Sequence, residues 1–591
     1  MAHLISPQNI TIPYAAWALD VQDVWTATSD DDNGFAGVLQ FGQHVEKIAG
    51  PGLVYVYVER THGATGAVTV TVTGNSTTGV MAMTSGSNFD PISTVVAFAD
   101  QEYGIKRVPV YINSVPASGL HLIHLTLTSP TGGSLVRNSE MHVLVDDGGL
   151  NPGAVTVAAG GDLQTAANSA AAGGLVYARS GADYTNNTRT SGEIAGFTLN
   201  NANGLPTSKI VLANYPGETP VINQNYLKCH DSGGEDKAAG FVVYASNLMI
   251  KGFEIENCLD SGIKSSGNGQ SNVILLDNKI HDIGNPPNGI PDYTLESHAD
   301  NLAGIRVDGF VNCQVVNTEI YDIYDVRVSS GQSNPWNAYA ASGHSGVHGF
   351  YTTEILIEHC EFYRVAKAVF EKNPSDLDGQ SRRVHHSKFS QIQHGALALQ
   401  LAGSSQPGSH YPQFHHNLMN YTATGSEDAY GVEVQQAEAE VTSQANNLIV
   451  HNNTQVNGEE LIRGASMTNI SAYNNVHENC DANYALNGDH ASGSGTNNFR
   501  YSDYNCFSNG TFRVLTSRYV STVTYSTLTA WRGAYPGDTY TQLDADENSI
   551  ETNPTYVNAG AGDYRTQTGV TVGTGRFSRD IGIGNENVGL K

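Results

Sequence analysis

The sequence predicts an all-β chain in two parts, an antiparallel β-sandwich followed by a long solenoid of stacked coils. Three observations lead there. Of 591 residues 39% are hydrophobic, only 15% are charged and 63 are glycine, a turn-rich and strand-rich composition. Residues 1–149 alternate apolar and polar side chains over short runs separated by turn residues. From Gly240 to about Asn475 one short unit recurs: GFVVYA (from Gly240), GIKSSG (Gly262), GIRVDG (Gly304), GVHGFY (Gly346), AVFEKN (Ala368), ALALQL (Ala396), GVEVQQ (Gly431) and LIRGAS (Leu461). Gly240 and Gly262 stand 22 residues apart, as do Gly346 and Ala368, and the other steps read as the same unit with insertions. A repeat of that size marks stacked units, none of which buries its apolar face alone.

In the first part the alternating runs are LVYVYVER, AVTVTV, RVPVYI, HLIHLTLTS and MHVLVDD, as expected of antiparallel strands with one solvated face. The stretch Ile92–Gly149 resembles the second half of a Calx-β domain, a calcium-binding β-sandwich of extracellular proteins. The resemblance rests on a phenylalanine before a small-acidic turn, a V-P-V strand, the LTLTSPTGG hairpin and a closing V-x-V-D-D. The family's acidic turn after the V-P-V strand here reads NSVPASG, without acids. The module therefore reads as a spacer, an adhesion unit or a glycan-binding unit. DDGGLNPG (146–153) is the linker, which divides the chain into domains 1–149 and 150–591.

The second part opens with VTVAAGGDLQTAANSAAAGGLVYARSG. Two apolar strands flank a short amphipathic helix with Asp162 near its start, the one stretch (Leu163–Ala172) with helical periodicity. This resembles the N-terminal cap of right-handed parallel β-helix proteins. A solenoid needs such a cap because its first coil otherwise exposes an apolar end. In the unit GVHGFYTTEILIEHCEFYRVA, Val347 and Gly349 face inward on a first strand, Ile355 and Ile357 on a second, and Cys360, Phe362 and Val365 on a third. The same register puts Asn278, Thr318, Cys360, Ser387, His416, Asn452 and Asn474 at one inward bend, where small polar side chains satisfy backbone groups in a ladder. Asp277, Asn317, His359, His386, His415, His451 and Tyr473 fall one residue earlier, outside the bend. Four stacked histidines there suggest a metal, but no Cys/His spacing of a closed site is present. The ending, NPTYVNAGAGDYRTQTGV…SRDIGIG, resembles the last coil of many secreted β-helix enzymes that act on polysaccharides.

The formal charge is −27, which excludes a nucleic-acid binder that needs a basic surface. No stretch is long and apolar enough to cross a membrane. The N-terminus lacks a basic segment followed by an apolar run, so no signal peptide is visible. The resemblances nevertheless imply an extracellular protein, with a phage particle as a second option. The six cysteines (229, 258, 313, 360, 480, 506) form no CxxC pair, and the expectation is that most are buried thiols of the solenoid core. The oligomeric state is open.

The first strands of successive coils form a sheet whose outward side chains make columns. One column reads Val242, Lys264, Arg306, His348, Phe370, Ala398, Glu433, Arg463; the next reads Tyr244, Ser266, Asp308, Phe350, Lys372, Gln400, Gln435, Ala465. In a chain with 30 Lys+Arg against 57 Asp+Glu, the cations gather on one face of the coils between Gly262 and Asn373. Like charges one strand apart are destabilising, so an anionic ligand is expected. Insertions 284–303, 325–345, 374–383 and 402–413 flank the same sheet, are expected to wall a groove, and supply Trp336, Tyr339, His344, Arg382, Arg383, His410 and Tyr411. Aromatics stack on sugar rings and arginine pairs bidentately with carboxylate or sulfate.

This pattern looks like the β-helix polysaccharide lyases, the group of chondroitinase-B-like, alginate and pectate lyases. The resemblance implies β-elimination on a uronic-acid polysaccharide, with Lys372 (in FEKNP) as the base and Arg306 or His348 as its partner. Lys264, Phe350, Arg382, Arg383, Trp336, His410 and Tyr411 are then the expected substrate contacts. No cofactor is required by the sequence, although the family allows Ca2+; Asp308 and Glu371 are its weak candidates, and Glu371 falls at an inward position unless its strand is bulged. Two other classes stay open. A glycoside hydrolase needs two carboxyls about 5–9.5 Å apart, with Asp308, Glu433, Asp300, Asp376 and Asp378 as the available acids. A non-catalytic glycan-binding adhesin needs neither arrangement, and an epimerase on the same fold would share the proton abstraction.

Overall fold

The structure is a computed structural model. It describes the chain outside residues 1–22, 27–35, 137–138, 187–188, 191–193, 227–237, 266–268, 285–301, 324–343, 351, 353, 373–379, 402–409, 422–428, 437–443, 446–447, 465–466, 469, 488–498, 509–510, 518–519, 535–545, 547, 562 and 567–591. The chain divides into two compact units whose main boundary falls between Pro152 and Gly153.

The first unit holds two five-stranded sheets. One runs in the order Asp23–Thr26, Glu102–Ile112, Gly52–Thr61, Val38–Phe41, Ser134–Leu135. The other runs Val45–Ile48, Glu140–Asp146, Leu120–Thr131, Val68–Asn75, Ser93–Phe98. Long antiparallel pairings dominate, as the alternating pattern predicts. Every second residue enters one core: Val54, Val56 and Val58 meet Val68, Val70, Val72 and Leu125. Arg60 is fully buried, and its guanidinium donates to the main-chain oxygens of Ala36, Ala99, Glu102, Thr65 and Gly66, tying several loops together.

The second unit is the parallel β-helix that the repeat predicts. Its second strands stack into a 12-stranded parallel sheet, and its first and third strands join in a 22-stranded sheet that is parallel except where Arg189–Thr190 meets Ile194–Leu199 and Thr511–Ser517 meets Val520–Tyr525. The cap helix spans Leu163–Ser169, and the Asp162 carboxylate accepts from the Thr165 main-chain N–H at 2.9 Å, a standard N-cap. Val347, Ile355, Ile357, Cys360, Phe362 and Val365 all lie in the solenoid core, as their alternation requires. Cys258, Cys313, Cys360, Cys480 and Cys506 are buried free thiols, and Cys229 lies outside the described residues. No helix among the described residues is long and apolar enough to cross a membrane.

Glycine opens most units because the next coil crowds the bend. A Cβ on Gly240, Gly262, Gly304 or Gly346 would come within 2.6–2.8 Å of a main-chain oxygen of the following coil. The inward ladder is real, but its register differs from the sequence reading by one residue beyond Ser387. It runs Asn278, Thr318, Cys360, Ser387, Asn417, Asn453, Asn475, Asn505, not through His416, Asn452 and Asn474. Those three residues occupy the left-handed turn position just before it, with φ of 53°, 52° and 55°. Asparagine and histidine both tolerate that conformation, so the two columns look alike in sequence.

Asn453 shows what the ladder supplies. Its Nδ2 donates to Phe414 O at 2.9 Å and to Asn475 Oδ1 at 3.0 Å. Its Oδ1 accepts from the Asn417 main-chain N–H and Nδ2, each at 3.1 Å. Asn453→Ala orphans a buried N–H and a buried carbonyl, each worth about 1–3 kcal/mol. The expected loss is about 2–4 kcal/mol, read as a lower urea midpoint at unchanged slope. An unaltered midpoint would show that water replaces the amide without cost.

Candidate active site

The strand pairing reproduces the first outward column, and the second from Asp308 to Gln435; Ser266 and Ala465 lie outside the described residues. Val242 pairs with Lys264, Lys264 with Arg306, Arg306 with His348, His348 with Phe370, Phe370 with Ala398, Ala398 with Glu433 and Glu433 with Arg463. Beside them Asp308 pairs with Phe350, Phe350 with Lys372, and Lys372 with Gln400. The third and first strands of two coils are continuous, as Glu361–Lys372 and Lys388–Leu401, with an irregularity between Val365 and Lys367. That irregularity brings Lys367 to the start of the first strand, paired with Ser345.

His348 is the centre of the arrangement. It is 0% exposed, and neither ring nitrogen has a hydrogen-bond partner among the described residues. Its ring lies 5.4 Å from the Phe370 ring, and its Nδ1 lies 3.9 Å from Asp308 Oδ1, too far for a hydrogen bond. Burial, and then the charges of Arg306, Lys372 and Lys367, push the imidazole well below its ordinary value. His348 is therefore neutral, and its approach to Asp308 is not an ion pair.

Cations surround that imidazole. Arg306 Nε donates to Asp308 Oδ2 at 2.8 Å. Burial raises the Asp308 carboxyl above its usual range although Arg306 and Lys264 oppose this, and its Oδ1 has no hydrogen-bond partner among the described residues. Lys367 is 1% exposed, with its Nζ 4.1 Å from the Phe370 ring centroid. Burial lowers its ammonium while Glu433 pulls the other way. Lys372 is half-buried, with Nζ 6.0 Å from the centroid of Phe350, itself half-buried. Next to Lys367 in the same electrostatic field is His394, which burial, Lys367 and Arg463 hold down to about 3.

Several expected contacts are placed elsewhere. Lys264 is not an open groove-edge cation: its side chain is 8% exposed and donates to the fully buried Asp260 at 2.8 Å. Burial alone would raise the Asp260 carboxyl, but Lys264 and Arg306 hold it below the usual range. Arg382 and Arg383 are not groove-wall residues either. They belong to the second-sheet strand Gln380–His385 and are 4% and 1% exposed. Arg382 Nε donates to Glu371 inside the solenoid, so Glu371 is an interior acid paired with arginine and not a groove ligand for calcium. His410 and Tyr411 open the strand His410–His415 of the second sheet instead of standing on a loop. Trp336, Tyr339, Asp300, Asp376 and Asp378 lie outside the described residues. His344 is buried at the foot of the first strand.

Sequence reasoning passed over Lys367, His394 and Asp260. Lys367 precedes AVFEKN by one residue, and Asp260 stands four residues before Lys264, a spacing that itself signals a pair. Among the described residues, two groups of three His or acidic side chains come close enough to share a metal ion: His385, His386 and His415, and Glu254, Glu256 and His281. Neither includes Asp308 or Glu371.

No family model and no curated protein matches this chain. Among solved structures, the apo-form Calx CBD1 domain is 14% identical over 18% of this chain and 93% of that one, with a TM-score of 0.16. CBD12 from CALX1.2 is 14% identical over 18% of this chain and 43% of that one, with a TM-score of 0.17. Pectate lyase Pel9A is 13% identical over 73% of this chain and 96% of that one, with a TM-score of 0.43. The assignment of the second unit to the parallel β-helix class rests on its own strand pairing.

Proposed function

We propose that the outward face of the first strands, from Arg306 to Lys372, takes an acidic, uronic-acid-containing polysaccharide and cleaves it by β-elimination outside the cell. One observation carries this reading: a buried neutral imidazole with both nitrogens unsatisfied among the described residues stands among Arg306, Lys367 and Lys372 in a chain of net charge −27. Leaving each such nitrogen unbonded costs about 1–3 kcal/mol, and an oxygen-rich anionic ligand would recover that cost. Arg306 and Lys367 neutralise the uronate carboxylate, which makes the C5 proton acidic. The Lys372 amine takes that proton. The C4–O bond breaks, a C4=C5 double bond forms, and the leaving oxygen takes up the proton that Lys372 removed from C5, directly or through water. His348 holds the sugar by hydrogen bonds, and Phe350 offers a ring face beside Lys372. These steps use side chains alone.

Hydrolysis is less well supported. Asp308 and Glu433 are the acids of the described columns, and four strand steps at about 4.8 Å put them roughly 19 Å apart, beyond the span that two-carboxyl hydrolysis uses. The test is incubation with a panel of acidic glycans. Near-ultraviolet absorbance from an unsaturated uronate is the expected result. New reducing ends without absorbance would replace elimination with hydrolysis, and binding without either would leave an adhesin.

A further inference from the structure

The corner between the second and third strands carries a cluster that the groove does not use. Glu358, His385, His415, His451 and Tyr473 pair in succession at the ends of the second strands. The residues after the first three of them, His359, His386 and His416, take the left-handed turn conformation, with φ of 54°, 51° and 53°. The imidazoles therefore form two adjoining columns. His385 stacks on His415 at 4.9 Å, His415 on His451 at 4.7 Å and His451 on Tyr473 at 5.0 Å, all within 7° of parallel. His386 stacks on His416 at 4.9 Å and 2°. Across the columns His385 Nδ1 meets His386 Nδ1 at 2.8 Å, and His415 Nδ1 meets His416 Nδ1 at 2.9 Å.

We infer that His385, His386 and His415 form a binding site for a borderline-soft divalent transition metal ion, of which Zn2+ is the prototype. One ring nitrogen from each lies within 4.8 Å of the other two. An ion with metal–nitrogen bonds of about 2.0–2.1 Å needs donors about 3.4 Å apart in a tetrahedral set, so movements of about an ångström or less complete it. The donor set is imidazole, which selects Zn2+, Cu2+ or Ni2+ over Ca2+ or Mg2+. His415 is 7% exposed, and its Nε2 has no hydrogen-bond partner among the described residues. Glu358 Oε2 lies 3.4 Å from His385 Nε2, where a carboxylate can orient a ligating histidine through its second nitrogen.

The other cluster is not equivalent. His281 Nε2 meets Glu254 at 2.9 Å and its Nδ1 meets Asp282 at 2.7 Å. Burial alone would lower that imidazole, but the two carboxylates hold it up at about 9, so it is an imidazolium with no lone pair to give. The ion at the histidine corner would link the coil of His385 to the coil of His415 and act as a staple between them, independently of the groove reading.

The test uses tag-free full-length protein stripped with a chelator, then titrated with Co2+ and, in competition, Zn2+. The column itself supplies conservative variants: asparagine occupies the turn position at Asn452 and Asn474, and tyrosine the strand-end position at Tyr473. Stoichiometric binding is expected, with a ligand-field spectrum of nitrogen-rich coordination. His386→Asn should weaken it about tenfold and His386→Asn/His415→Tyr about 100-fold, while His281→Gln leaves it unchanged. Absence of stoichiometric binding, or affinity that survives His386→Asn, would overturn the assignment. Because His386 sits at a half-buried turn, the single variant still decides between these results if the double variant does not fold.

Discussion

Lys372→Ala is expected to lower turnover on the cleaved glycan by about 10²–10⁴-fold, the range of a single general acid or base, while the circular dichroism spectrum and thermal midpoint stay unchanged. Lys372 ends its strand half-buried and in loose contact with Phe350, so truncation leaves no buried group unpaired. The loss should fall on kcat, since the amine acts on the C5 proton, whereas Arg306→Ala should raise KM as well by removing a carboxylate partner. Arg306→Ala also frees the Asp308 carboxylate, so Arg306→Ala/Asp308→Asn is the cleaner comparison. Lys372→Ala protein that retains full activity would remove the lysine from the chemistry and leave His348 as the base to test.

Arg382→Met is expected to destabilise the solenoid by about 3–5 kcal/mol, the cost of leaving a buried charge without its partner. Glu371 is 2% exposed and Arg382 4%, and they face each other inside the coil. Burial raises the Glu371 carboxyl, and the Arg382 guanidinium opposes that rise. Removing the guanidinium therefore forces the acid to protonate or the coil to open. Arg382→Met/Glu371→Leu should recover most of the loss, because apolar side chains of similar volume replace buried ion pairs with little penalty. The measurement is a denaturant midpoint on the parent chain and both variants. A stable single variant with weakened glycan binding would instead return Arg382 to the groove.

The outward columns of the first strands were legible from the sequence because alternation is local. Within one strand an outward residue is two positions from the next, and the glycine at each bend resets the count. That is why Lys264, Arg306, His348 and Phe370 fall in one file in both sequence and structure. Bends are less legible. HHN, HNN and YNN at 415–417, 451–453 and 473–475 fit the inward ladder in two registers, and only the bonding of Asn417, Asn453 and Asn475 to neighbouring main chain selects one. Insertions are less legible again, since Arg382 and Tyr411 belong to strands that resume earlier than the apolar pattern suggests.

By itself, then, the sequence determined the architecture: a sandwich, a capped solenoid, the inward residues of its strands though not of every bend, and the face on which cations collect. Those features depend on spacing along the chain. Tertiary structure alone decided how those charges are partnered. Lys264 is paired with Asp260, Arg382 with Glu371 and Arg306 with Asp308, while the charges of Arg306, Lys367 and Lys372 act together on His348 from neighbouring coils. Coulomb energy and desolvation depend on distance and burial in space, and residues many positions apart meet only when the coils stack.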